Sequence, residues 1–93
     1  MAQNTSKTVT GGAWTQLTDA NVTSITFQNN GGHEVYIAGT TSAVAPTNLD
    51  TAIKYNPGTG ERNIRLSDLY PGIAAVRVYA FAYNNVRVFV SHA

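Results

Sequence analysis

The chain has 93 residues, a formal net charge of +1 and no cysteine, so it holds one domain and excludes disulfide staples, thiolate zinc sites and thiol nucleophiles. Charged residues make up only 12% against 43% hydrophobic, and Thr, Asn, Gly and Ser supply the polar surface instead. Six basic residues against five acidic ones, with no Lys/Arg cluster, exclude the concentrated positive field that nucleic acid or an anionic membrane requires.

From the N-terminus, Met1-Ala2-Gln3-Asn4-Thr5-Ser6-Lys7 has no apolar run after a basic start, so no signal peptide is expected. No later stretch approaches the roughly 18 apolar residues of a membrane span. Synthesis in the cytoplasm, where the chain stays soluble, follows as the expectation. The sequons Asn4-Thr5-Ser6 and Asn21-Val22-Thr23 then read as coincidence in a Thr/Asn-rich chain. Residues 1–10 are expected to be a flexible arm, with at most a short strand at Thr8-Val9-Thr10 before Gly11-Gly12. Residues 11–93 are expected to be the folded domain.

Trp14-Thr15-Gln16-Leu17 reads as a strand, followed by the turn Thr18-Asp19-Ala20-Asn21. Val22 to Gln28 alternates, with Ile25 and Phe27 on one face. After the turn signal Asn29-Asn30-Gly31-Gly32, Glu34 to Gly39 carries Val35 and Ile37 on one face and Tyr36 on the other. The two runs predict a hairpin pairing Ile25/Phe27 with Val35/Ile37. Residues 40–60 are irregular, and Asp50 to Tyr55 fits either a helical turn or a short edge strand. A strand begins near Glu61 with Ile64 and Leu66 on one face, and Ser67 to Gly72 forms a single turn closed by Pro71-Gly72.

Ala75–Tyr83 and Val86–Ser91 predict a second hairpin around Asn84-Asn85. Its register is open. A two-residue loop sets Phe81 opposite Val88 and Tyr79 opposite Val90. One more loop residue groups Val78/Ala80/Ala82 with Val86/Val88/Val90 and sends Tyr79, Phe81, Tyr83 and Phe89 to the other face. Either way both faces carry apolar residues, so the second face needs a cover. Loop 40–60 or another subunit would serve. The subunit is favoured, because monomers rarely expose large apolar patches. Seven or eight short strands with frequent turns predict an all-β fold, a small antiparallel β-sandwich (jelly-roll-like) or a barrel.

Chemistry is sparse. Asp19, Glu34, Asp50, Glu61 and Asp68 are scattered over turns and strand ends and read as caps or solvated charges. His33 and His92 lack metal-ligand spacing, no nucleophile turn is present, and no cofactor or metal is expected. Gly58-Thr59-Gly60 lacks the Lys-Ser/Thr of a phosphate loop and reads as a wide turn. Arg62, Arg65, Arg77 and Arg87 lie near aromatics, but too few charges accompany them for base stacking on a nucleic acid. Tyr79, Phe81, Phe89, Arg77 and Arg87 are the candidate subunit interface. Trp14 and Tyr36 are candidates for stacking a glycan, with plugging of one core end as the plainer role for Trp14.

Residues 14–93 resemble small virion structural proteins of tailed bacteriophages and gene transfer agents. The stretches that carry the resemblance are Trp14–Leu17, Val22–Asn29, Val35–Ile37, Ala45–Thr47, Pro57–Arg62 and Val86–Ala93, all strand and turn patterns without a chemical site. The resemblance implies a β-sandwich present in many copies on a virion, as capsid decoration, head-spike or fibre base, or adhesion module. It implies no enzymatic activity and transfers no functional residue. The expected partners are the chain itself, in a closed homo-oligomer with a trimer or pentamer favoured, and other virion proteins. A carbohydrate-binding adhesion module that meets a host surface glycan is the alternative.

Overall fold

The computed structural model describes residues 3–92, which form eight strands and one helical turn. The strands are β1 (Gln3–Val9), β2 (Trp14–Gln16), β3 (Ser24–Asn29), β4 (Val35–Thr40), β5 (Ile53–Tyr55), β6 (Gly60–Arg65), β7 (Arg77–Phe81) and β8 (Val86–His92). The helical turn α1 (Leu66–Leu69) follows β6. All pairings are antiparallel, in two four-stranded sheets ordered β1-β8-β3-β6 (sheet A) and β2-β7-β4-β5 (sheet B). First pairs with last, second with seventh, third with sixth and fourth with fifth, which is the strand order of a jelly roll. The all-β sandwich expectation holds.

Alternation builds the core. Ile25, Phe27, Val86, Val88 and Val90 point inward from sheet A, and Val35, Ile37, Val78 and Ala80 meet them from sheet B. Leu66 is buried and Ile64 packs against the cluster. Val9, Leu17, Val22 and Tyr55, which the sequence pattern does not single out, complete it.

Both predicted hairpins are arches instead. β3 lies in sheet A and β4 in sheet B, so Ile25/Phe27 and Val35/Ile37 do not pair but line opposite walls of the core. β7 and β8 separate in the same way across residues 82–85. Strand alternation states which residues face the core. It does not state whether the following strand lies beside its predecessor or across from it. The inward set of the second register (Val78/Ala80/Ala82 with Val86/Val88/Val90) is the one that is buried, but the outward aromatics are divided between two outer surfaces.

The flexible-arm expectation is also corrected over residues 3–9; Met1 and Ala2 lie outside the described residues. β1 pairs with β8 along its whole length, from Gln3↔His92 to Val9↔Val86. Val9 enters the core, Gln3 Nε2 donates to Leu17 O (2.7 Å), and Lys7 Nζ contacts Asp19 Oδ1 at 3.1 Å. The polar Asn4-Thr5-Ser6 run looks loose because an edge strand needs few apolar side chains; backbone pairing holds it. Of the two readings of residues 50–55, the edge strand is the one realised.

Two tyrosines brace the sandwich. Tyr70 Oη donates to Ile37 O (3.0 Å), its ring filling the space that a Gly39 side chain would occupy, and Tyr55 Oη donates to Glu61 Oε2 (3.0 Å). Burial pushes both phenols above their ordinary value of 10.0; the Glu61 carboxylate adds to the effect on Tyr55. A raised folded-state pKa gives stability that is complete below the unfolded value and is lost as pH rises through the folded one. Thermal stability is therefore expected to fall above about pH 10, and to fall less steeply in the Tyr55→Phe/Tyr70→Phe double variant. A pH series of melting temperatures checks this, and equal slopes would refute it.

Candidate functional site: an aromatic strip on sheet B

Because Val78, Ala80 and Ala82 of the β7 segment turn inward, Arg77, Tyr79 and Phe81 stand on the outer face of sheet B. The register places Trp14 of β2 and Tyr36 of β4 on either side of Phe81, and Gln16 and Ala38 on either side of Tyr79. Three aromatic residues thus lie in one cross-strand row. Just beyond β7, Tyr83 adds a fourth ring. Ring centroids are 5.5 Å apart for Trp14–Phe81, 5.3 Å for Phe81–Tyr83 and 5.9 Å for Tyr36–Tyr83. Each such contact is worth about 0.5–1.5 kcal/mol beyond the area it buries.

The rings meet edge to face: 86° for Phe81–Tyr83, 87° for Tyr36–Tyr83 and a tilted 52° for Trp14–Phe81. They form an interlocked cluster, not a coplanar platform. Trp14, Tyr36 and Phe81 are half-buried, while Tyr83 is 63% exposed and forms the crest. Lower on the same face the contacts turn polar. Tyr79 is only 6% exposed within its own chain and its Oη donates to Gln16 Oε1 (2.8 Å). Gln16 Nε2 in turn donates to Thr18 O. Arg77 Nε donates to Asn21 Oδ1 (2.8 Å).

Of the seven residues singled out from sequence, five meet on this face: Trp14, Tyr36, Arg77, Tyr79 and Phe81. Phe89 and Arg87 do not join them. They lie on the outer face of sheet A, because β8 belongs to the other sheet. The expected single interface patch on one hairpin is corrected accordingly. Tyr79 needs no neighbouring subunit to cover it, since its own chain does. Trp14 is half-buried and packs on Phe81 at the outer face, not into the core, whereas Leu17, three residues on, is fully buried in the core cluster. Tyr83 is the member missing from the sequence-based set. Its signal was the spacing Tyr79-x-Phe81-x-Tyr83, legible once the strand phase is known.

Several charged and polar groups are engaged away from the strip. Asp19 pairs with Lys7 and its backbone N–H donates to His92 Nε2 (3.3 Å), Glu61 receives the Tyr55 hydroxyl, and the His33 carbonyl receives Asn29 Nδ2 (2.8 Å). Among the described residues no group of three or more His, Cys, Asp or Glu is placed to hold a metal ion, and no helix is long and apolar enough to cross a membrane. The strip is an aromatic surface, half-buried at Trp14, Tyr36 and Phe81 and exposed at Tyr83. Comparisons with protein-family models, with curated proteins and with solved structures find no match.

Proposed function

We propose that this chain is a non-enzymatic virion structural protein of the tailed-phage type, which self-associates and docks on a particle as capsid decoration or as a spike or fibre base. The observation that carries the reading is the four-ring cluster Trp14–Phe81–Tyr83–Tyr36 standing on an outer sheet face. Aromatic residues anchor protein interfaces because they bury much area while losing few rotamers. Edge-to-face rings interlock with a protein surface, whereas a sugar ring stacks on a flat, isolated ring, so the geometry favours assembly over glycan stacking at Trp14 and Tyr36. Jelly rolls serve in viral capsids and in lectins alike, so the fold agrees with the reading by analogy only. A thin core in a 93-residue chain gains from further buried area.

Repeated identical contacts close by rotational symmetry, with a trimer or pentamer suited to a spike base. The test is size by light scattering at high micromolar concentration. The wild type is expected to be a closed oligomer. Tyr83→Asp and Phe81→Asp should each give monomers with the β circular dichroism unchanged, since the charge then faces an apolar partner. Tyr83→Asp carries the decision, because that ring is the most exposed of the four. A monomeric wild type, or a Tyr83→Asp variant that assembles as before, would overturn the assignment of self-association to this face.

A further inference from the structure

The outer face of sheet A has a different character. Its outward residues are mostly hydroxyl and amide side chains together with the exposed arginines Arg62, Arg65 and Arg87, with Phe89 as the half-buried ring among them. Asn63 adopts a left-handed conformation (φ 47°) in β6, where the pairing with β3 shifts between Ile25 and Phe27. Its backbone N–H leaves the ladder and donates to Thr26 Oγ1 (2.7 Å). This bulge opens the surface into two hollows that share Thr26. One, of about 510 Å³, is lined by Phe89, Gln28, Thr59, Glu61 and Arg62 among others. The second, of about 320 Å³, is lined by Ser24, Asn63, Ser91 and others. The two hollows adjoin at Thr26 and form a shallow, open trough across the sheet.

The chemistry of the trough is selective. Phe89 offers an apolar ring face. Gln28 uses its Nε2 on Gly58 O (3.2 Å) and keeps its Oε1 for another donor. Arg62 lines the larger hollow, Arg87 is two residues from Phe89 on the same strand face, and Arg65 sits opposite Ser24 at the far end. Among the described residues none of these three guanidinium groups has a hydrogen-bond or ion-pair partner. Of the two charged side chains that line the larger hollow, Glu61 is engaged by Tyr55 and Arg62 is unpaired. The unpaired Arg87 and Arg65 flank the trough without lining it, so the surrounding face carries an excess of positive charge.

We infer that this trough binds an acidic saccharide. The apolar C–H face of a pyranose lies on Phe89, its hydroxyl groups reach Gln28, Thr26 and Thr59, and its carboxylate is held by Arg62 as a charge-assisted pair. A nucleic acid fits less well, because single strands need successive aromatic rings for successive bases and this trough holds one. The site is independent of the aromatic strip, which lies on the opposite side of the sandwich.

The test is titration of the full-length chain, followed by amide chemical shifts and calorimetry, with sialyllactose, trigalacturonate, lactose and single-stranded oligothymidine as probes. The acidic sugars are expected to shift residues of β3, β6 and β8, and lactose to bind more weakly. Arg62→Gln, at an exposed position that leaves the fold intact, should weaken acidic-sugar binding about tenfold and abolish the preference over lactose. Phe89→Leu, which keeps apolar bulk without a ring, should weaken both acidic and neutral sugars about tenfold. Tyr83→Asp should leave binding unchanged, so that failure of assembly and failure of this site are told apart. Absence of shifts at millimolar acidic sugar, tighter binding of oligothymidine, or unchanged affinity in Arg62→Gln and Phe89→Leu would each overturn the assignment.

Discussion

Replacing Gly60 with alanine is expected to destabilise the protein by about 3 kcal/mol or more, one of the largest effects of any single methyl group in this chain. A Cβ at this position would drive into the Phe27 carbonyl oxygen and lie 2.7 Å from Gln28 Cα. Both obstacles are backbone of the central strand β3, which is pinned on its other side by β8. No side chain is available to swing aside. Relief requires β6 to move off β3, and that would break the pairing at Gln28↔Gly60 and Phe27↔Glu61. The Tyr55–Glu61 hydrogen bond would go with it. At about 4–8 °C per kcal/mol for a domain of this size, the melting temperature should drop by about 12 °C or more. Gly58→Ala makes the control: its φ of 85° strains any side chain, yet nothing lies within 4 Å of the new Cβ. It should cost about 1–2 kcal/mol. A Gly60→Ala variant no less stable than Gly58→Ala would show that β6 yields more easily than its contacts imply.

The same two glycines show where sequence reading ends. Gly58-Thr59-Gly60 is legible as a turn, but the close approach of Gly60 to β3 depends on a pairing 32 residues away in the chain, which local pattern does not encode. The core was legible for the complementary reason. Burial on a strand repeats every second residue, so Ile25, Phe27, Val35 and Ile37 announce their facing without any knowledge of partners, whereas in the segment 75–91, apolar on both faces, the choice of inward set stays open. What alternation omits is the choice between hairpin and arch. Both β3–β4 and β7–β8 read as hairpins because Asn/Gly turns end strands in either case. That omission reached the site. Tyr79, Phe81 and Phe89 read as neighbours on one ribbon, and the arch sends Phe89 to the far side of the molecule. The true companions of Phe81, Trp14 and Tyr36, come from strands that are distant in sequence and were picked out for a different role.

Asn29 explains why the β3–β4 arch is stable, and its substitution is the other large expected loss. The side chain is fully buried. Its Nδ2 donates to Tyr55 O (3.0 Å) and His33 O (2.8 Å), and its Oδ1 accepts from Gly31 N (3.0 Å). Its own backbone N–H donates to Thr59 O (2.9 Å) and its carbonyl accepts from Gly58 N (2.7 Å). One residue therefore ties the end of β3 to the crossing segment, to β5 of the opposite sheet and to the β5–β6 turn. Asn29→Ala strands the buried Tyr55 carbonyl and frees the turn, and is expected to cost about 3–4 kcal/mol, or about 12–30 °C in melting temperature. Asn29→Asp separates hydrogen bonding from shape. The isosteric carboxylate keeps the bond from Gly31 N but sets a negative oxygen against two carbonyl oxygens, so at neutral pH it should be at least as unstable as the alanine variant. Burial and those carbonyls favour the protonated acid, which can donate to one of them, and they raise the folded-state pKa above the ordinary value of about 3.9. A raised folded-state pKa means stability that is present below the unfolded value and lost as pH rises through the folded one. Relative to wild type, Asn29→Asp should therefore recover as pH falls toward about 4, whereas Asn29→Ala should run parallel to wild type throughout. Chemical denaturation at several pH values measures both trends. An aspartate variant that tracks the alanine one at every pH would mean that Asn29 holds the arch by filling space, not by its two donated hydrogen bonds.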